Sequence, residues 1–218
     1  MVFSPTELAF TWIEMILTTV GIPGLFALMT VESLGIPPLP SEVILPFAGV
    51  LLSSGTVGLL GIPFTWVTVM VAALAGGLLG ALLGYLLGRL FGMPLIHRFG
   101  RRLHVDEEDL HKAEQFFARR GEPTVFFSRM LPIVRAYISY PAGAARMEPV
   151  RFSVFTAAGS FPFTLALVYA GVVLGENFGI LQRYFTALDV VGGIAILAII
   201  GYLLWRKRSR ATAPPAGP

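Results

Sequence analysis

A run of prolines set inside strongly apolar surroundings constrains this chain more than any other feature. Residues 32–49 read Glu32-Ser-Leu-Gly-Ile-Pro-Pro-Leu-Pro-Ser-Glu-Val-Ile-Leu-Pro-Phe-Ala-Gly49, with Pro37, Pro38, Pro40 and Pro46 alongside the carboxylates of Glu32 and Glu42. Proline has no backbone N–H to donate, and it disfavours helical geometry in the residue before it, so one helix cannot run through. The apolar pieces on either side, 24–34 and 42–54, reach only about 16–20 Å at ~1.5 Å per residue. A hydrocarbon core of ~30 Å needs ~20 residues. Two half-helices meeting at a Pro-rich break therefore predict a re-entrant hairpin over 24–54, with Pro37, Pro38 and Pro40 at its break. Broken backbone at membrane depth is tolerated only where protein or a wet cavity surrounds it. A carboxylate there is a candidate functional group. The competing structural reading is a surface loop between two short helices, with Glu42 capping the second.

Composition supports the membrane. The chain is 55% hydrophobic and 13% charged, with mean hydropathy +0.75, against about 25% charged residues in soluble domains. It holds no cysteine, which removes disulfides, thiolate metal sites and catalytic thiols. No cleavable signal peptide is expected, because the first basic residue is Arg89. Residues 1–88 carry no Lys or Arg, whereas Arg89 to Arg120 carry seven and the tail four more, Arg206, Lys207, Arg208 and Arg210. The positive-inside rule puts both clusters, and with them the C-terminus, in the cytoplasm.

The expected organisation runs as follows. Residues 1–21 form an amphipathic N-terminal helix, opened by Ser4-Pro5-Thr6-Glu7 as cap, first-turn proline and capping-box glutamate. One of its faces is Glu7, Thr11, Glu14 and Thr18, and the other is Leu8, Trp12, Met15 and Ile16. A transmembrane domain fills 22–205, with the hairpin at 24–54 and a span at 64–92. A cytoplasmic segment follows at 93–121, and Asp106-Glu-Glu-Asp109 starts a helix within it. Residues 122–147 again hold two short apolar pieces, broken at Pro132 and Pro141, with Arg129 and Arg135 among them. Spans are expected at 151–175 and 186–205. If 122–147 also crossed, the two basic clusters would face opposite sides, so it reads as a second re-entrant hairpin. The architecture expected is an all-α membrane protein with two opposed hairpins and about three full spans. It forms a pseudo inverted repeat by pattern alone, since the halves share no convincing identity. Such paired interruptions point to a transporter's central site. Residues 206–218 are a basic, then Pro/Ala-rich tail.

Gly76, Gly80, Gly84, Gly88 and Gly92 recur every fourth residue and let another backbone approach closely. Packing against a half-helix of the same chain is favoured over a seam between copies, and a homo-oligomer stays open. His97, His104 and His111 lie seven apart on a solvated face, and no metal site is expected of them.

The first hairpin supplies carboxylates and the second guanidinium groups. Arginine is suited to bidentate capture of phosphate. At membrane depth an unpaired arginine costs at least ~2.5–3.5 kcal/mol. Arg129 and Arg135 therefore need Glu32 and Glu42, or an anionic ligand, as partners. A buried carboxylate near water is a candidate proton carrier. The structural alternative is that Glu–Arg pairs lock the hairpins together. No nucleophile with a histidine base and no metal-ligand cluster is legible, so an enzyme is not expected, nor a cofactor, nor a nucleic-acid partner.

The proline stretch 32–49 and the stretch Phe127-Ser-Arg129-Met-Leu-Pro-Ile-Val-Arg135, continuing through Pro141-Ala-Gly-Ala-Ala-Arg-Met147, resemble the DedA family, whose shared region is also called the VTT or SNARE-associated domain. Gly84-Tyr-Leu-Leu-Gly-Arg89, Gly159-Ser160 and Gly171 through Asn177 are similar to it too, and the resemblance covers about 25–180. It implies a multi-pass lipid transporter of the bacterial inner membrane. Some members of that family return undecaprenyl phosphate across the membrane, and others are linked to phospholipid movement and to the proton gradient. The family's acidic pair corresponds to Glu32 and Glu42, and its arginine pair to Arg129 and Arg135. Many relatives carry Trp shortly after the Gly-Ser pair, where this chain has Phe161-Pro162-Phe163. The function expected is a flippase for a polyprenyl phosphate, coupled to protons. The alternatives are an energy-independent phospholipid scramblase and a small-ion or proton antiporter.

Overall fold

The computed structural model describes residues 5–35, 41–103 and 107–174, all within one compact unit. The expected span at 186–205, the tail, and Pro37, Pro38 and Pro40 lie outside the described residues. Within them the chain is helical, and its only bridge between extended segments joins Val57 to Pro63. The helices are α1 (Pro5–Thr19), α2 (Ile22–Ser33), α3 (Ser41–Ser53), α4 (Trp66–Leu103), α5 (Glu107–Ser128), α6 (Pro132–Tyr137), α7 (Ser139–Ala144) and α8 (Pro149–Leu174). Two stretches, Trp66–Phe91 and Pro149–Val173, are long and apolar enough to cross a membrane.

Several boundaries differ from the sequence reading. Helix α4 does not stop at Gly92 but runs to Leu103, carrying helical backbone into the basic segment. Helix α5 joins the acidic start at Glu107 to the first apolar piece of the second hairpin, bending at Arg120 (φ −134°, ψ 16°). Helix is interrupted over 129–131, and Pro132 begins α6 after the extended Leu131. Pro141 lies inside α7, where the nearby turn falls at Ile138 and keeps helical dihedrals. A proline is accommodated there because the first helical turn has no partners for its N–H groups. In α1 the buried face is Ile13 and Leu17, at 1% and 0% exposure, while Trp12 is 56% exposed.

Residues at the two ends of each interrupted segment are in contact. Gly21, before α2, is packed against Gly58, after α3, and the Leu59 N–H donates to the Thr19 carbonyl at 3.0 Å. A Cβ on Gly21 would come within 2.8 Å of the Gly58 Cα, so both positions need glycine, and Gly21 also holds φ 79°. In the second segment Gly121 meets the Met147 thioether, and Arg151 bonds Glu122 at 2.8 Å.

Helix α4 is the axis onto which both segments dock. Its glycine stripe is used from within the chain. Gly76 abuts the Phe26 carbonyl and Gly80 the Thr30 carbonyl, so α2 and α4 advance together and run in the same direction. Gly84 meets Ser139, and Gly88 meets the Tyr140 carbonyl, which seats α7 on the following turns. Helix α8 repeats the scheme. Gly159 abuts the Phe126 carbonyl of α5, and Gly171 abuts the Pro46 carbonyl of α3. Small residues let backbones meet where lipid offers no hydrophobic drive between helices. The outward faces carry large apolar side chains such as Leu83, Leu87, Leu90, Val154 and Val173.

Candidate functional site

The site sits where the two interrupted segments meet. Glu32 lies in the last turn of α2, and Gly35 (φ 70°) turns the chain just after the helix, with the Gly35 N–H donating to the Glu32 carbonyl at 2.8 Å. Tyr140 of α7 donates its hydroxyl to the Leu34 carbonyl at 2.5 Å, and the Tyr137 ring lies against Gly35. These contacts pin the tip of the first segment to the second.

Four charged residues are buried there or close by: Glu32 and Glu42 at 8% exposure, Arg129 at 2% and Arg135 at 3%. Arg135 donates from Nη2 to Glu32 Oε2 at 3.2 Å, an ion pair spanning the two segments. The Ser33 hydroxyl donates to the same carboxylate oxygen at 3.1 Å. The Phe163 ring of α8 covers the Arg135 guanidinium, its centroid 4.5 Å from Cζ. Arg129, in the break after α5, donates from Nη2 to the Ser139 hydroxyl at 2.9 Å and lies within range of the charges of Arg135 and Glu32. Glu42 occupies the first turn of α3, where Ser41 donates to Oε2 at 3.2 Å.

This arrangement leaves bonding capacity unused. Arg129 Nε and Arg135 Nη1 are buried without a partner among the described residues. An unmet donor on a buried charged group costs more than the ~1–3 kcal/mol of a neutral one. Both donors therefore favour an acceptor-rich anion, and a phosphate oxygen is one.

The structure brings Glu32, Arg129 and Arg135 into one cluster, buries Glu42 as well, and places Pro132 and Pro141 in the helices that carry Arg135 and Ser139. Sequence reasoning missed Ser139, Ser33 and Tyr140, which carry no motif and matter only through what they touch. Phe163 stood out as a departure from the family pattern, but its place over Arg135 was not legible. Among the described residues no group of His, Asp and Glu is arranged to hold a metal ion.

Comparison with known proteins places the chain in a family. The family model of the VTT domain matches residues 39–173. The uncharacterized membrane protein YkoX of Bacillus subtilis is 37% identical over 211 residues, covering 94% of this chain and 88% of that one. An alkaline phosphatase-like protein of Lactococcus lactis is 35% identical over 197 residues, covering 86% and 87%. Undecaprenyl phosphate transporter A of Bacillus subtilis is 30% identical over 203 residues, covering 91% and 93%. No solved structure matches. The chain is a membrane protein belonging to the DedA family, defined by the VTT domain.

Proposed function

We propose that this protein is a transporter that moves an anionic lipid between leaflets, with undecaprenyl phosphate as the foremost substrate. Arg129 and Arg135 hold the phosphate, and Glu32 and Glu42 act as counter-charges that take up a proton as the head group enters or leaves. The observation that carries this reading is the pair of buried guanidinium groups with unmet N–H donors. Arg135 has one carboxylate partner and Arg129 bonds a neutral hydroxyl, so an anionic head group supplies a counter-charge and acceptors beside Arg129.

The path is formed by two re-entrant hairpins related as an inverted repeat. Support comes from the segment ends that meet, from the parallel course of α2 and α4, and from matching contacts in the two halves. Gly76 meets the Phe26 carbonyl and Met29 Cβ as Gly159 meets the Phe126 carbonyl and Arg129 Cβ. Gly49 fits against the Val168 carbonyl and Val172 nitrogen as Gly143 fits against the Tyr85 carbonyl and Arg89 nitrogen. These pairs align Gly21-Ile-Pro-Gly-Leu-Phe26 with Gly121-Glu-Pro-Thr-Val-Phe126. Both then share glycine, proline, a buried aliphatic residue and phenylalanine in one spacing. Opposed hairpins of this kind present a site near the midplane to either side. Under the same reading the cytoplasmic C-terminus follows from the basic clusters, and the inner-membrane setting from the family.

The test is flipping of a fluorescent polyprenyl phosphate in liposomes holding purified protein. A labelled zwitterionic phospholipid runs in parallel, with and without a pH gradient. Selective flipping that responds to the gradient and is lost in Arg135→Ala supports the proposal. Equal flipping of both lipids makes the protein a scramblase, and ion flux without lipid makes it an antiporter. Because one relative is named phosphatase-like, released inorganic phosphate is measured in the same vesicles; stoichiometric release would replace transport by hydrolysis.

A further inference from the structure

A second set of arginines surrounds a cavity away from the central cluster, at the end of the bundle where the second hairpin begins and returns. Its volume is about 360 Å³, within the range that holds small ligands. The rim carries Arg119, Arg146 and Arg151 against Glu122 and Glu148, and Phe117 and Met147 supply apolar wall. Both glutamates are engaged by Arg151, at 2.8 Å to Glu122 and 2.7 Å to Glu148. Arg119 and Arg146 have no ion-pair partner among the described residues.

Arg146 is also the only described residue other than glycine with positive φ, at 52°. It follows α7 at the position where the Arg146 N–H donates to the Gly143 carbonyl at 3.0 Å and the Met147 N–H to the Ala142 carbonyl at 3.1 Å. That helix ending ordinarily takes glycine, because an L side chain is strained there. An arginine kept in this conformation, unpaired and on the rim of a cavity, has a use other than closing the helix.

We propose that this cavity is a second phosphate site, in which Arg119 and Arg146 receive a phosphate monoester before or after it occupies the central cluster. Guanidinium groups bond phosphate oxygens bidentately, and Arg151, paired with both glutamates, leaves Arg119 and Arg146 as the cavity's arginines without an acidic partner among the described residues. The apolar wall beside the cationic rim suits a phosphate that carries a hydrocarbon chain. A lipid source for the phosphate rests on the proposed function, whereas the phosphate chemistry of the cavity does not.

The experiment counts farnesyl phosphate bound to the purified full-length protein by native mass spectrometry. Wild type is compared with Arg146→Gly, Arg119→Ala and Arg129→Met. Wild type is expected to bind two molecules. Arg146→Gly and Arg119→Ala should weaken one of them about tenfold, the loss of one charge-assisted contact. Arg146→Gly should melt at the same temperature or higher, since glycine adopts this conformation without strain. Arg129→Met should lose only the other molecule. Displacement of the cavity's molecule by inorganic phosphate would identify the phosphate alone as the ligand, and failure to displace it would require the lipid chain. Unchanged binding in Arg146→Gly overturns the proposal. So does a single molecule in wild type that disappears in Arg129→Met, which leaves the central site standing. A single molecule that survives Arg129→Met but not Arg146→Gly keeps the cavity and removes the central site instead.

Discussion

The two interrupted segments are packed by similar glycine-to-carbonyl contacts and carry opposite chemistry. In the first, the residue packed beside Gly76 is Met29; in the second, the residue packed beside Gly159 is Arg129. Both are buried, at 1% and 2% exposure. Buried Leu25 in the first has buried Val125 as its counterpart. The acidic residues belong to the first segment and its return helix, and the buried arginines to the second. The difference teaches where the constraint lies. Glycine-to-carbonyl contacts fix the backbone of each segment and make no demand on the chemistry of the buried side chains beside them. Those positions can hold a thioether in one half and a guanidinium in the other while the frame stays the same.

The strongest way to break the comparison is to fill the matching glycines. A Cβ on Gly49 would run into the Val168 carbonyl, and one on Gly143 into the Tyr85 carbonyl; in each case the obstacle is backbone and cannot swing away. Gly49→Ala and Gly143→Ala should each cost about 3 kcal/mol or more, the upper end for overpacking. Both should lower the yield of monodisperse protein in detergent. Gly77→Ala, whose nearest neighbour would be Ser33 Oγ at 3.5 Å, should leave yield unchanged. Tolerance at one of the matched glycines and collapse at the other would end the equivalence.

A sharper test exchanges chemistry without touching the frame. Arg129→Met places the first segment's residue at the matching position of the second. It removes a buried charge whose Nε lacks a partner, so the melting temperature should hold or rise, as replacement of buried charges by apolar residues often allows. Polyprenyl phosphate flipping should fall to the protein-free rate. Retained flipping would separate Arg129 from the substrate.

The smallest effect is expected at Phe163. Its ring lies over the face of the Arg135 guanidinium, which bonds Glu32. Phe163→Leu removes an interaction of about 0.5–2 kcal/mol. Flipping should drop a few-fold to roughly tenfold, and Phe163→Trp should restore it. Equal loss in both would show that ring shape, rather than attraction between ring and cation, matters there.

Much of this was open to sequence reasoning because it follows from local rules. Prolines interrupt helices whatever surrounds them, and the stripe at Gly76, Gly80, Gly84 and Gly88 announces close approach. Carboxylates and guanidinium groups in apolar surroundings announce partners. The interruption before Pro132 falls where the proline chemistry puts it. Helix α4 passing Gly92 and the joining of α5 through Arg120 were missed, since glycine and charge mark a polarity change but do not by themselves stop a helix. The spacing of glycine, proline and phenylalanine common to 21–26 and 121–126 was overlooked for a related reason. Residues such as Ile22 and Glu122 differ because they face different surroundings, and only the common contacts reveal which positions to align.

The sequence by itself determined that this is an apolar helical membrane protein with two interrupted segments, one acidic and one basic. Those properties depend on proline geometry, hydropathy and the cost of isolated charge, all of which are properties of short stretches. Only the tertiary structure decided that Arg135 takes Glu32 as its partner, that Arg129 turns to Ser139, and that Phe163 covers Arg135. It also decided that α4 seats both segments along a single face. Apart from Arg129 and Ser139, these join residues far apart in the chain, and their proximity is set by which glycine meets which carbonyl, a matter of packing that no local pattern encodes.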